Sequence, residues 1–293
     1  INAGMHYLFN FEESVNLQVT LILIITLGAT LSVVSGLHKG IQLLSKMASV
    51  MAIILMGFML VVGPTLFILG STVQSTGYYL QNLIATSTWM EVNTESRWMD
   101  SWTFFYWGWW FAWAPFVGLF VARISKGRTI KEFLIGVVIA PTLATIVWIS
   151  IFGSTSLHIE IFGSGGMTEA VNQDITTALF KLLEHFPLPY LSILFVVIAG
   201  VIFFITSSDS GSLVIDFITS GGQENTPVQL RIFWALLEGA VAAVLLWGGG
   251  LIALQTGSLV TGLPVCLLML VVCYAILKAL RTYEAETNKG ANP

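Results

Sequence analysis

Seven apolar stretches, each about twenty residues long, leave this chain one solvent for most of its length, and that solvent is lipid. A helix crosses the roughly 30 Å hydrocarbon core with about 20 apolar residues, and within that core every backbone polar group must find its partner inside the protein. The stretches cover residues 17–37, 47–69, 102–124, 133–152, 190–217, 228–247 and 251–280. They predict an all-α fold, a polytopic membrane helix bundle. The last stretch is long enough to bend, and Gly257, Gly262 and Pro264 favour a bend. Composition agrees: 56% of residues are hydrophobic, 10% are charged, and mean hydropathy is +0.85.

Basic residues set the expected orientation. Ten of the 12 Lys and Arg fall after the first and third spans, before the sixth and after the seventh, leaving Arg97 and Lys181 on the opposite side. By the positive-inside rule the N-terminus is outside and the C-terminus cytoplasmic, in a multi-pass cytoplasmic (inner) membrane protein. The chain starts at Ile1 with no basic, apolar leader, and an outer first loop calls for earlier spans. It therefore reads as the C-terminal part of a larger protein.

Between spans, residues 72–90 are too polar to cross. Leu80, Leu83 and Ile84 at helical spacing predict a helix lying at the outer interface or against a neighbouring subunit. Gly63-Pro64 marks a kink or stop, and Ser35 to Gly40 a cytoplasmic exit. Residues 155–188 form an outer loop with a Gly163–Gly166 turn and a short helix at 168–185. Gly248-Gly249-Gly250 predicts a hairpin, and residues 281–293 a polar, disordered cytoplasmic tail. Cys266 and Cys273, a heptad apart on one span, read as packed thiols rather than a disulfide. His6, His38, His158 and His185 have no metal spacing. Nucleophile elbow, phosphate loop, dinucleotide fingerprint and basic–aromatic nucleic-acid surface are all missing. These exclusions argue against an enzyme and against a nucleic-acid partner.

Two segments carry chemistry. Trp107, Trp109, Trp110 and Trp113 fall within seven residues of the third span, followed by Pro115. Trp98 and Trp102 suit an interface belt, but Trp113 lies about 16 Å deeper, near the bilayer midplane. Trp102, Tyr106, Trp109, Trp113 and Phe116 or Phe120 recur on one helical face, with Trp110 about 100° from Trp109. Pro115 leaves the Phe111 carbonyl without its helical N–H. Aromatic faces at that depth beside a free carbonyl predict a site for an organic cation held by cation–π attraction. A packed aromatic seam between helices is the alternative.

The second segment is Thr206-Ser207-Ser208-Asp209-Ser210-Gly211-Ser212, which interrupts the fifth span. Six oxygen-bearing side chains in seven positions are costly in lipid unless they line a polar cavity, where hard oxygens suit Na⁺. Interhelical hydrogen bonding is the alternative. Asp209 is expected to organise these hydroxyls or to meet a basic residue on an absent helix. Glu238, a second intramembrane carboxylate, reads as a hydrogen-bond partner of a neighbouring helix or as a proton-linked group.

With those residues in place, Trp102 to Ser125, Ser35 to Gln42 and Thr206 to Gly211 together resemble the betaine/carnitine/choline transporter family over residues 1–280. The resemblance implies a LeuT-like inverted-repeat fold whose N-terminal spans are missing, the seven spans here being the sixth to twelfth. It implies that Trp107, Trp109, Trp110 and Trp113 surround a trimethylammonium group and its path, with Trp110 as the cage wall. It also implies a Na⁺ site made by the Phe203 carbonyl and the Thr206 and Ser207 hydroxyls, with Phe116 near a second Na⁺, and no other cofactor. A homotrimer contacting through 72–90 is implied as well. The expected activity is secondary, Na⁺-coupled import of glycine betaine or choline. The alternatives are a Na⁺-independent carnitine-type exchanger and, from another class, a membrane-embedded hydrolase using Asp209 or Glu238.

Overall fold

The computed structural model describes residues 1–35, 40–94, 98–223 and 226–290. Helices account for the architecture, with no strand among the described residues. They are α1 Asn2–Phe9, α2 Val15–Ser35, α3 Gly40–Val62, α4 Thr65–Gln81, α5 Leu83–Ser87, α6 Phe105–Ile124, α7 Ile130–Leu134, α8 Ala140–Phe162, α9 Met167–Gln173, α10 Ala178–Glu184, α11 Pro189–Thr219 and α12 Val228–Gly290. Six continuous helical stretches are long and apolar enough to cross a membrane, and the longest, within α12, is broken at Gly249 and Gly250. Large apolar side chains face outward along nearly every one of them, as lipid as a solvent requires. The chain is a polytopic helical membrane bundle.

The helices form two compact units, residues 1–89 with 125–247, and residues 90–124 with 248–293. In the first, α11 is the hub: α1, α2, α3 and α10 pack along it, while α4 packs on α8. Met59, Ile68, Phe152, Leu182, Leu183 and Ile193 belong to its buried core. At 31 residues α11 is roughly 46 Å long, more than a bilayer core, so it tilts or projects beyond it.

Several boundaries differ from the sequence expectation, each for a local reason. The second span ends at Val62 instead of residue 69. Pro64 offers no N–H to the Leu60 carbonyl, and the Thr65 hydroxyl donates to that carbonyl instead, at 2.6 Å. A new helix then starts at Thr65, so the polar helix expected at 72–90 is α4 followed by the single turn α5. The fourth span runs to Phe162, ten residues beyond 152. Its polar residues are absorbed locally: Thr155 and Ser156 donate to the carbonyls of Ile151 and Phe152, and Ser154 reaches Ser71 of α4 at 2.8 Å. Ahead of it a wide π turn, Ile135–Ile139, precedes Pro141, whose missing N–H frees the Val137 carbonyl.

In the second unit, α6 and the C-terminal half of α12 touch backbone to backbone. A Cβ on Gly262 would sit 2.6 Å from the Gly108 carbonyl oxygen, and one on Gly108 would strike Leu259. Small residues allow this approach, which lipid alone does not drive. Helix α12 is broken within the glycine triplet, at Gly249 and at Gly250 with φ 64°. The tail expected to be disordered continues α12 as helix to Gly290. The exit expected at residues 36–39 and the final residues 291–293 lie outside the described residues, as does Arg97.

Candidate functional site

Each expected site is carried by one helix, and each helix belongs to a different unit. The Trp-rich helix α6 is entered through a π turn, Met99–Phe104. Ahead of that turn Glu91 adopts φ 52°, and its carboxylate accepts the N–H groups of Trp98 at 3.1 Å and Met99 at 2.9 Å. An anionic acceptor on those first amides fixes where the helix begins. Sequence reading missed this role, because the capping residue lies seven and eight positions ahead of the amides it holds.

From that fixed start the rings form runs. Trp98 stacks on Trp102 at 6.4 Å between centroids, and Trp102 on Tyr106 at 5.9 Å with planes 6° apart. Tyr106 then meets Trp109 at 6.0 Å. A second run begins at Trp110, edge-on to Trp113 at 5.6 Å and 77°, and Trp113 continues to Phe116 at 6.3 Å. Trp107 faces another way and packs on Phe111 at 5.5 Å. The single expected face is thus two neighbouring runs that part between Trp109 and Trp110.

These rings are open within the chain. Trp110 is 57% exposed and Trp113 44%, and α6 buries none of its residues. The perpendicular Trp110 and Trp113 rings present a π face beside a ring edge, a corner that a rounded cation can enter. Helix α6 continues through Pro115 without interruption, so the Phe111 carbonyl lacks its N–H partner while the helix stays straight enough to keep Phe116 in line.

The oxygen-rich turn of α11 is organised differently. Thr206 donates its hydroxyl to the Phe203 carbonyl at 2.9 Å, bringing two of the three expected Na⁺ ligands together and leaving the lone pairs of the Thr206 hydroxyl oxygen available. Ser207, one residue on, is exposed, and its hydroxyl makes no hydrogen bond to another described residue. Three hard oxygens within about one helical turn fit an alkali cation, with further ligands needed from outside that turn. Phe116 is carried by α6 in the other unit.

Deeper in α11 most polar groups find partners inside the protein, while Oδ1 of Asp209 and Oδ1 of Asp216 are buried without one among the described residues. Asp209, fully buried, accepts a 2.6 Å hydrogen bond from Ser32 of α2. Glu238, on α12, accepts from Ser208 at 3.2 Å and lies 3.4 Å from the Ser212 hydroxyl oxygen, a helix-to-helix link. Ser210 and Ser212 donate to the carbonyls one turn back. Near the end of α11, Asp216 takes the Thr226 hydroxyl and the Arg231 guanidinium, at 3.3 Å, in a nearly buried cluster that sequence reading did not single out. Residue types and spacing gave no cue to it, since its members sit on either side of a loop. No group of three or more metal-ligating His, Cys, Asp or Glu occurs among the described residues.

Comparison with known proteins places this architecture. The family model described as betaine/carnitine/choline family transporter matches residues 1–285. The glycine betaine transporter OpuD of Bacillus subtilis is 40% identical over 292 residues, covering 99% of this chain and 56% of the relative. A glycine betaine/proline/choline/ectoine transporter of Vibrio parahaemolyticus is 42% identical over 290 residues, covering 96% of this chain and 50% of the relative. A glycine betaine transporter of Acinetobacter baylyi is 39% identical over 282 residues, covering 96% and 43%. The chain thus spans about half the length of these curated relatives. With the match extending over nearly all of its residues, the chain belongs to the betaine/carnitine/choline family of transporters.

Proposed function

We propose that the protein of which this chain forms a part is a secondary transporter that imports a quaternary ammonium compatible solute, glycine betaine or choline, with Na⁺ as the coupling ion. The observation that carries this reading is the Trp110–Trp113 corner on a membrane-spanning helix, open on one side and pinned at its outer end. A trimethylammonium group has no N–H to donate, so ring quadrupoles are its natural partners. Each well-placed ring contributes roughly 0.5–2 kcal/mol, so a few rings hold the ligand without trapping it. Trp109 and Trp107 line the approach to it in this reading.

Thr206, Ser207 and the Phe203 carbonyl hold Na⁺ in this reading, and Phe116 stands near a second ion. Downhill Na⁺ biases the protein toward its loaded state, and rocking of one repeat against the other in a LeuT-like inverted-repeat fold exchanges access across the membrane. The C-terminus lies in the cytoplasm, and the assembly is a homotrimer in the inner membrane contacting through α4 and α5. The relatives are named as transporters of glycine betaine, and one also of choline, which supports this substrate class.

Uptake of labelled glycine betaine and choline by the full-length protein in proteoliposomes, with and without an inward Na⁺ gradient, tests the reading. Gradient-dependent uptake is expected. Uptake that ignores Na⁺ and accelerates with internal substrate would make the protein an exchanger and leave Thr206 and Ser207 structural.

A further inference from the structure

Two carboxylates meet at the oxygen-rich turn of α11, each with one oxygen buried without a partner, Oδ1 of Asp209 and Oε1 of Glu238, and they differ in how the other oxygen is held. Asp209 takes one short hydrogen bond, 2.6 Å from Ser32, a length typical of a hydroxyl donating to an ionised oxygen. Glu238 takes two long ones, both on Oε2, at 3.2 Å from Ser208 and 3.4 Å from Ser212. Its Oε1 is buried without a partner.

Counting hydrogens sharpens the difference. A serine hydroxyl has one hydrogen, and that of Ser212 already points to the Ser208 carbonyl at 2.9 Å. The Ser212–Glu238 contact therefore lacks a hydrogen of its own unless the carboxyl brings one. A metal ion does not fit the vacancy at Oε1: the carboxylate lies against the α11 backbone, where a Cβ on Gly211 would come within 2.9 Å of Oε1 and 3.2 Å of Oε2. A proton on Oε2, facing the Ser212 hydroxyl oxygen, needs no such room.

We propose that Glu238 is a proton-binding site, set between the N-terminal half of α12 and the Ser208–Ser212 turn of α11. A proton from solution adds to the carboxylate, and the resulting O–H donates to the Ser212 hydroxyl oxygen while Ser212 keeps donating to Ser208. Loss of the proton from Oε2 leaves a charge at a helix–helix contact and no hydrogen between Oε2 and the Ser212 hydroxyl oxygen, which loosens α11 from α12. The Glu238-bonded turn directly follows Thr206 and Ser207, so proton occupancy is felt at the oxygens proposed for Na⁺.

The groups facing Glu238 among the described residues are few. From α11 they are Ser208, Ser212 and the Asp209 carboxylate, which acts on its charge; from α2, Thr26 packs against the adjacent Gly239 and carries no charge. On its own helix Arg231 is committed to Asp216.

The functional readout rests on the transport reading above, so the test has two arms on the full-length protein. Infrared difference spectra across pH should show a titrating carboxylic C=O band that is absent in Glu238→Gln and shifted in frequency in Ser212→Ala. Na⁺-driven betaine uptake should fall on the alkaline side by up to about tenfold per pH unit, the slope of a one-proton step, and stay flat at its acid level in Glu238→Gln. A band untouched by both substitutions, or an uptake profile unchanged in Glu238→Gln, would overturn the proton site. Absence of Na⁺-driven uptake in the wild type would instead overturn the transport reading, leaving the infrared arm to decide the proton site.

Discussion

Helices α6 and α11 both put unusual chemistry into a membrane span, and they do so by opposite routes. Helix α6 is crowded with aromatic rings, buries none of its residues and presents its Trp faces outward. Helix α11 is studded with hydroxyls and carboxylates, buries Asp209, Gly211, Ser212 and Asp216, and answers most of them from α2, α12 or its own preceding turn. A ring can be left open to lipid or to a ligand at no polar cost, because its attraction for a cation comes from a quadrupole. An oxygen is costly to leave unpaired, so α11 commits most of its deep oxygens to structure, while Phe203, Thr206 and Ser207 lie near an open face. Where each helix is open, the proposed ligands differ in class: a soft organic cation for α6, a hard alkali cation for α11.

The sharpest way to break this contrast is to remove a ring from the corner. Trp110→Ala should raise the half-saturating concentration of glycine betaine in uptake by about tenfold or more, the equivalent of ~1.4 kcal/mol, within the range of a desolvated cation–π contact. Trp102→Ala, in the outer run, should change it less than about threefold. Equal effects would merge the two runs and dissolve the assignment.

Second in size is a substitution on the closed side of α11. Asp209→Ala removes the carboxylate that accepts the buried 2.6 Å bond from Ser32, and should destabilise the full-length protein in detergent by about 1–3 kcal/mol, read as a lower thermal midpoint. An unchanged midpoint would mean that this contact is not structural. On the open side of the same helix, Thr206→Ala with Ser207→Ala should raise the Na⁺ requirement several-fold, or about 1 kcal/mol, while leaving that midpoint nearly unchanged. Sodium titration of uptake beside thermal melting separates the two sides.

The smallest effect belongs to the joint between α3 and α4. Thr65→Val removes the donor that replaces the proline amide at the Leu60 carbonyl and should cost about 0.5–1.5 kcal/mol, with uptake affinity unaltered. A loss of affinity there would tie the joint to the site.

The all-helical membrane architecture was legible because lipid imposes one rule on every backbone, and the apolar stretches obey it. Helix ends were less legible. Ser154, Thr155 and Ser156 look like a loop in sequence, yet hydroxyls that bond back to a carbonyl one turn earlier, or across to Ser71, stay comfortably inside a helix. The stop at Gly63-Pro64 was visible, but the Thr65 hydroxyl that lets a new helix follow at once was not. At the site, spacing placed the rings on α6 and the oxygens on α11. It did not reveal that the ring face parts between Trp109 and Trp110, since side-chain rotamers decide which rings meet. Partners distant in sequence, such as Ser32 for Asp209 and Glu238 for Ser208, follow from helix packing, which local pattern does not encode.

Charge on the bound solute is the variable that tests the account most directly. Tert-butylacetate has the shape of glycine betaine with a carbon in place of the quaternary nitrogen, so it fills the same corner without a cation for the rings. Measured as competitors of labelled glycine betaine on the full-length protein, unlabelled betaine should be stronger than tert-butylacetate by about tenfold or more, and Trp110→Ala should shrink that gap. Equal competition by the two compounds, with a gap indifferent to Trp110, would show that shape alone governs binding and would contradict a site built on aromatic faces.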